Sequence, residues 1–159
     1  MTNTNTKFEI KIDRETYTNS DVRKWAKEID MTTKELLEKL EDWDEKQWAM
    51  FAYCEFDPDY IEDIDNLDIG EDEIEIGNKR YYCLTDDEAD LKADEYLDEY
   101  IDDCVLSQLP DNLQNYLDSE KFKKDVLCYD GRGSQLASYD GCEYEFTVND
   151  TTYYIYRID

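Results

Sequence analysis

The chain opens on an alternation. In Lys7-Phe8-Glu9-Ile10-Lys11-Ile12 every second side chain is apolar, the two-residue period of a strand buried on one face. The period then lengthens. Ser20 is placed to cap a helix whose Val22, Trp25, Ala26 and Ile29 share one face. Thr32 or Thr33 starts a second helix, with Leu36, Leu37 and Leu40 inward, and a third runs from about Asp44 to Tyr53 around Trp48, Met50 and Phe51. From Glu55 to Asp72 the pattern dissolves into an Asp-rich stretch marked by Pro58 and Gly70, read as loop with one helical turn.

Alternation returns in Glu73-Ile74-Glu75-Ile76, and a Gly77-Asn78 turn leads to a second apolar run ending at Leu84. Thr85 with Glu88 three residues on is a capping box, and the helix it opens is expected to reach about Ser107. Pro110 opens a short helix to about Leu117. Ser119 caps another, expected to stop at Asp130-Gly131-Arg132-Gly133. Glu143–Val148 and Thr152–Arg157 around Asn149-Asp150 read as a hairpin. The fold class is α+β: several short helices, one long acidic amphipathic helix and a small antiparallel sheet of hairpins. At 159 residues one domain is expected, with a helical part carrying one strand over 1–54 and an acidic α+β part over 55–159.

Charge changes this picture more than any motif. Forty-three Asp and Glu against 17 Lys and Arg, with no His, give −26 at pH 7. A disordered acidic tail would lack the 40% hydrophobic and 14% aromatic residues found here, so the chain is expected to fold. Self-repulsion of this size opposes compactness, so the acids either serve a purpose or reflect a halophilic source. The five Cys are scattered, with no CxxC and no His to complete a zinc set, and read as reduced, partly buried thiols in a cytoplasmic protein, or in host cytoplasm if the source is a phage. No apolar run approaches the roughly 20 residues of a membrane span.

The chemistry of catalysis finds little purchase. Without His, Ser-His and Cys-His nucleophiles are excluded. Aligning Gly70 with the glycine of a calcium loop puts Leu67, Ile69 and Ile76 at ligand positions. Gly131-Arg132-Gly133-Ser134 lacks the spacing of a phosphate loop. Among so many acids some carboxylate pair always fits a glycosidase, which empties that signal. No enzyme, cofactor or metal is expected.

The long helix is the informative segment. Ala89, Ala93, Tyr96, Leu97, Tyr100, Ile101, Cys104 and Val105 are expected to face the core. Asp86, Asp90, Asp94, Asp98 and Asp102 recur every four residues, about 6 Å apart along the axis, with Glu95, Glu99 and Asp103 beside them. Like charges at that spacing oppose the helix, and Lys92 is its only base. A row of anions at this interval resembles the phosphates of one DNA strand, so the row is expected to face outward toward a basic groove. Asp63, Asp65, Asp68, Glu71 and Asp72 continue the sign upstream as candidate contacts.

Leu109-Pro110-Asp111-Asn112-Leu113-Gln114-Asn115-Tyr116-Leu117-Asp118, with Phe122 and Asp125, is similar to a segment near the end of ArdA-type antirestriction proteins. Those are acidic proteins of about this size that mimic bent duplex DNA and occupy type I restriction enzymes; the N-terminal part of this chain does not follow their pattern. Asp130–Gly141, the closing Tyr154–Asp159, and Leu84–Ala89 resemble small proteins of phages and mobile elements, several encoded among anti-defence genes. The resemblance implies a non-enzymatic anti-defence protein acting as a DNA mimic against a restriction or CRISPR-type complex. The alternative is an acidic inhibitor or immunity partner of a basic protein, without true mimicry. Either way the partner is a basic nucleic-acid-binding protein, direct nucleic-acid or membrane binding is not expected, and a homodimer is possible.

Overall fold

The structure, a computed structural model, describes residues 7–68 and 73–159. The alternating segment forms β1 (Glu9–Ile12), but it turns straight back through Asp13 into β2 (Glu15–Thr18), so the N-terminal part holds two strands instead of the one expected. The first helix begins earlier than Ser20: α1 (Asn19–Glu28) is entered at Thr18, whose amide donates to the Asp21 carboxylate at 2.8 Å. Local capping sets the next two starts. Thr32 Oγ1 accepts from the Glu35 amide at the head of α2 (Thr33–Glu41). Asp44 and Gln47 form a reciprocal box at the head of α3 (Glu45–Tyr53). Beyond Pro58–Tyr60, a 3₁₀ turn, comes α4 (Ile61–Asp65).

β3 (Ile74–Ile76) and β4 (Lys79–Thr85) form the second hairpin, with the Thr85–Glu88 box opening α5 (Asp86–Tyr100) as its residues dictate. The helical path runs on through a π turn at Ile101–Val105 and a 3₁₀ turn at Leu106–Gln108. A one-turn α6 (Asp111–Gln114) precedes α7 (Ser119–Leu136), whose cap is Asp118 and not Ser119. The glycines do not stop α7. Gly131, at φ 77° and ψ 171°, breaks it, and the helix resumes to Leu136. β5 (Tyr144–Val148) and β6 (Thr151–Arg157) close the chain as the third hairpin.

All three hairpins join one antiparallel sheet in the order β2-β1-β5-β6-β4-β3. Strand alternation divides the core in two. Ile10, Ile12, Tyr81, Cys83, Val148, Tyr153 and Ile155 face α1–α4, where Trp25 and Phe51 meet edge-on at 5.0 Å and Trp43 packs on Trp48. Tyr82, Leu84 and Tyr156 face the other way, onto Ala89 and Ala93 of α5 and onto Leu136. The two small alanines let the helix backbone lie close to the sheet. The acidic α4 and the acidic α5 therefore sit on opposite faces of the sheet.

Burial sorts the cysteines differently from their expected role as core thiols. Cys83 is buried and Cys54 half-buried, but Cys104, Cys128 and Cys142 are exposed. Burial pushes the Cys83 thiol up to about 12 and the Cys54 thiol to about 11, so both are poor nucleophiles at neutral pH. Ellman's reagent is expected to titrate three thiols rapidly in the native protein, Cys54 slowly, and Cys83 only with unfolding. Rapid labelling of all five would mean that the sheet is not closed over Cys83.

Candidate acidic interaction face

α5 lies between the sheet and solvent, with α7 alongside it. Ala89, Ala93, Leu97 and Ile101 are buried, as their spacing predicts. Tyr96, Tyr100 and Cys104, expected in the same stripe, are exposed, Tyr100 by half. In this part of the helix only Leu97 and Ile101 stay covered. Tyr96 is held by a hydroxyl contact to Tyr82 at 2.7 Å, and Tyr100 stacks on Phe122 of α7.

The Asp row is not the free outward row expected from its spacing. Two bases from α7 reach across to it. Arg132 Nη1 lies 2.8 Å from Asp86 and 3.0 Å from Asp90, while its Nε and Nη2 hold the two oxygens of Glu143 at 3.0 and 3.2 Å. Lys123 Nζ lies 2.8 Å from Asp94, 2.9 Å from Asp98 and 3.0 Å from Glu120. Burial alone would lower the Arg132 pKa, but its hydrogen bonds to Glu143 and Asp86 outweigh that and raise it. Hydrogen bonds donated by the Lys123 ammonium to Asp94, then Asp98 and Glu120, hold its pKa well above the usual lysine range. Asp90, Asp94 and Asp98 are thus acceptors for nearly buried bases, so changing them to Asn would remove ion pairs as well as repulsion.

Two glycines make the Arg132 contact possible. The break at Gly131 re-aims the chain, in a conformation that side-chain-bearing residues almost never adopt. At Gly133 a Cβ would stand 2.6 Å from the Gly141 carbonyl oxygen, so only glycine lets the segment Gly141–Glu143, just before β5, come alongside. The Gly131-Arg132-Gly133 sequence thus seats an arginine between α5 and Glu143, over the Tyr154 ring of β6.

What remains outward is the neighbouring row. Asp87, Glu95 and Glu99 on α5, with Asp102 and Asp103 in the π turn, are exposed and carry no ion pair among the described residues. Leu91, 62% exposed, occupies the position between Asp87 and Glu95 in the four-residue repeat. Each α7 base faces three carboxylates, so both clusters keep an excess of negative charge while their carboxylates are pinned.

The upstream candidates do not join this face. Asp65 is a structural acceptor, taking the Trp43 indole N–H at 2.9 Å and the Lys39 ammonium at 3.2 Å. Asp63 and Asp68 are exposed on the other side of the sheet. Glu71 and Asp72 lie outside the described residues. Among the described residues no three His, Cys, Asp or Glu side chains converge to hold a metal ion, and no helix is long and apolar enough to cross a membrane.

The fold and this face define an α+β protein with a fixed, acid-rich helical surface. No family model, curated protein or solved structure matches the chain.

Proposed function

We propose that this protein is a non-enzymatic anti-defence inhibitor that presents the solvent face of α5 to a basic, nucleic-acid-binding host protein and occupies its groove as a DNA mimic. The observation that carries this reading is the pinned excess of charge: Arg132 and Lys123 each hold three carboxylates, beside the open row of Asp87, Glu95, Glu99 and Asp103. Carboxylates fixed before binding lose little side-chain entropy in the complex. Glu95, Glu99 and Asp103 recur at about 6 Å along the axis, the interval that first suggested a phosphate row.

Leu91 favours a second reading. An exposed leucine within an acidic row adds nothing to phosphate mimicry, but it is what a protein-specific inhibitor offers as an apolar anchor ringed by polar contacts. The two readings separate by mutation.

The test starts from a partner captured from host lysate and eluted with salt. With Glu95, Glu99 and Asp103 changed to Gln, Gln and Asn, folding should hold. Association should slow about tenfold at low salt, with a flatter dependence on ionic strength. Parallel salt dependence for variant and wild type would place the binding surface elsewhere. Leu91→Asp extends the row: association as fast or faster with affinity kept supports mimicry, and a lost complex supports the anchored inhibitor.

A further inference from the structure

On the sheet face opposite to α5, a groove of about 770 Å³ runs between the end of α3 and the β3–β4 hairpin. That volume is within the range of small-molecule sites, about 300–1,000 Å³. Its floor carries an unusual group. Four tyrosines of the sheet are buried, and three have a hydroxyl partner: Tyr82 has Tyr96, Tyr153 has Glu45 and Tyr156 has Glu143. The fourth, Tyr81, is 6% exposed and its hydroxyl has no hydrogen-bond partner among the described residues. No buried side-chain oxygen or nitrogen is left unpartnered among those residues, so the Tyr81 hydroxyl touches solvent, and Tyr81 lines the groove.

Two bases share its face of the sheet. Arg157 of β6 is directly opposite Tyr81 in the ladder, and Lys79 is two residues before it on β4, so all three share one face of the sheet. Tyr53 meets the Tyr81 ring edge-on at 5.3 Å, and no hydrogen bond engages its hydroxyl among the described residues either. Burial pushes the Tyr81 phenol up to about 12 and raises Tyr53, so both hold their protons at neutral pH. Arg157 spends its Nε on the Asp159 carbonyl, with its guanidinium over the Tyr139 ring. Glu28, Glu55 and Asp57 also line the groove, but they come from the end of α1 and the loop after α3, not from the strands.

We propose that this groove binds a small organic anion, a carboxylate or phosphate ester, whose oxygens accept from the Tyr81 and Tyr53 hydroxyls between Lys79 and Arg157. The Tyr81 hydroxyl and two cations on the sheet, with the Tyr53 hydroxyl at the end of α3, match an oxyanion, and the aromatic rings beside them cover its organic body. The net charge of −26 repels an anion at long range, so Lys79 and Arg157 must hold the ligand at contact distance, and binding should tighten as salt screens the rest of the molecule. The site is separate from the acidic face and stands or falls independently of it.

The experiment is a backbone NMR titration at constant ionic strength with sodium benzoate, inorganic phosphate and, as an uncharged control, benzyl alcohol. Benzoate is expected to shift resonances of Tyr53, Gly77–Tyr81 and Arg157. Tyr81→Phe should leave the melting midpoint unchanged, since the hydroxyl has no partner among the described residues, and weaken benzoate about five- to tenfold. The same shifts and the same weakening with phosphate alone would support the site and assign it to phosphate esters. Shifts scattered over exposed lysines, equal binding of benzyl alcohol, undiminished binding in Tyr81→Phe, or no shift at all would overturn the proposal.

Discussion

Replacing Arg132 with Met is expected to lower stability by about 3 kcal/mol, or about 6–12 °C in melting temperature for a chain of this length. The side chain is 14% exposed and makes hydrogen bonds to Asp86, Asp90 and both oxygens of Glu143, while its guanidinium covers the Tyr154 ring at 4.5 Å. Methionine fills much of the same space, so the loss reports charge and hydrogen bonding more than a cavity. Removing the base also leaves three carboxylates facing one another, with Tyr156 still donating to Glu143. The partners Asp86 and Asp90 are more than half exposed, which keeps the figure at the low end for a broken buried pair. Added salt should restore part of the loss in the variant and much less in wild type. Lysine at 132 should recover under half, because an ammonium cannot fork across Glu143 while reaching α5. Chemical denaturation of the three proteins at two salt concentrations measures all of this. A variant as stable as wild type would mean that the cluster is a surface accident.

The protein is also expected to unfold cooperatively in alkali, within about two pH units above 10. Burial raises the phenols of Tyr81, Tyr153 and Tyr156 and the thiol of Cys83, with Glu45 and Glu143 raising Tyr153 and Tyr156 further. All four are acids whose folded-state pKa is raised, so the folded chain keeps protons that the unfolded chain releases. The unfolded thiol ionises at about 8.5 and the unfolded phenols at about 10, and stability falls as pH rises beyond those values. Each withheld proton contributes about 1.4 kcal/mol per pH unit, so the three phenols and the thiol together remove roughly 5 kcal/mol per unit above pH 10. Against a total stability of about 5–15 kcal/mol, that slope suffices. Lys123 acts in the same direction: its raised pKa gives stability that is complete below the ordinary lysine value and disappears as pH rises through the folded one. These groups predict no slope between pH 6 and 8. Phenolate absorbance followed together with circular dichroism checks the result. Ordinary titration of every tyrosine near pH 10 with secondary structure intact would contradict the buried sheet tyrosines.

Much of the architecture is readable from neighbouring residues because its causes are local. Thr32, Asp44 and Thr85 satisfy helix amides three residues away, so their helices start where the residues say. The alternations in β1, β3 and β5 and the turns at Gly77-Asn78 and Asn149-Asp150 give the hairpins by the same short-range logic. The α+β class follows from those elements. β2 escapes because Glu15-Thr16-Tyr17-Thr18 buries no residue fully and offers no apolar alternation, only a partner in β1.

What tertiary structure alone decided is which acids are free. The helical period of α5 brings Asp86, Asp90, Asp94 and Asp98 into one row, and nothing nearby in sequence marks that row as occupied. Its bases arrive from a helix packed alongside, Arg132 from 46 positions beyond Asp86 and Lys123 from 25 beyond Asp98. The outward role passes to Asp87, Glu95, Glu99, Asp102 and Asp103 for that reason. Likewise Arg157 joins Tyr81 and Lys79 only when β4 pairs with β6, and that the Tyr81 hydroxyl finds no partner among the described residues has no trace in composition. A strand's alternation determines which residues share a face. Which face meets a helix, a counter-charge or open solvent depends on long-range pairing, because a charge or a hydroxyl is satisfied by what lies across from it in space.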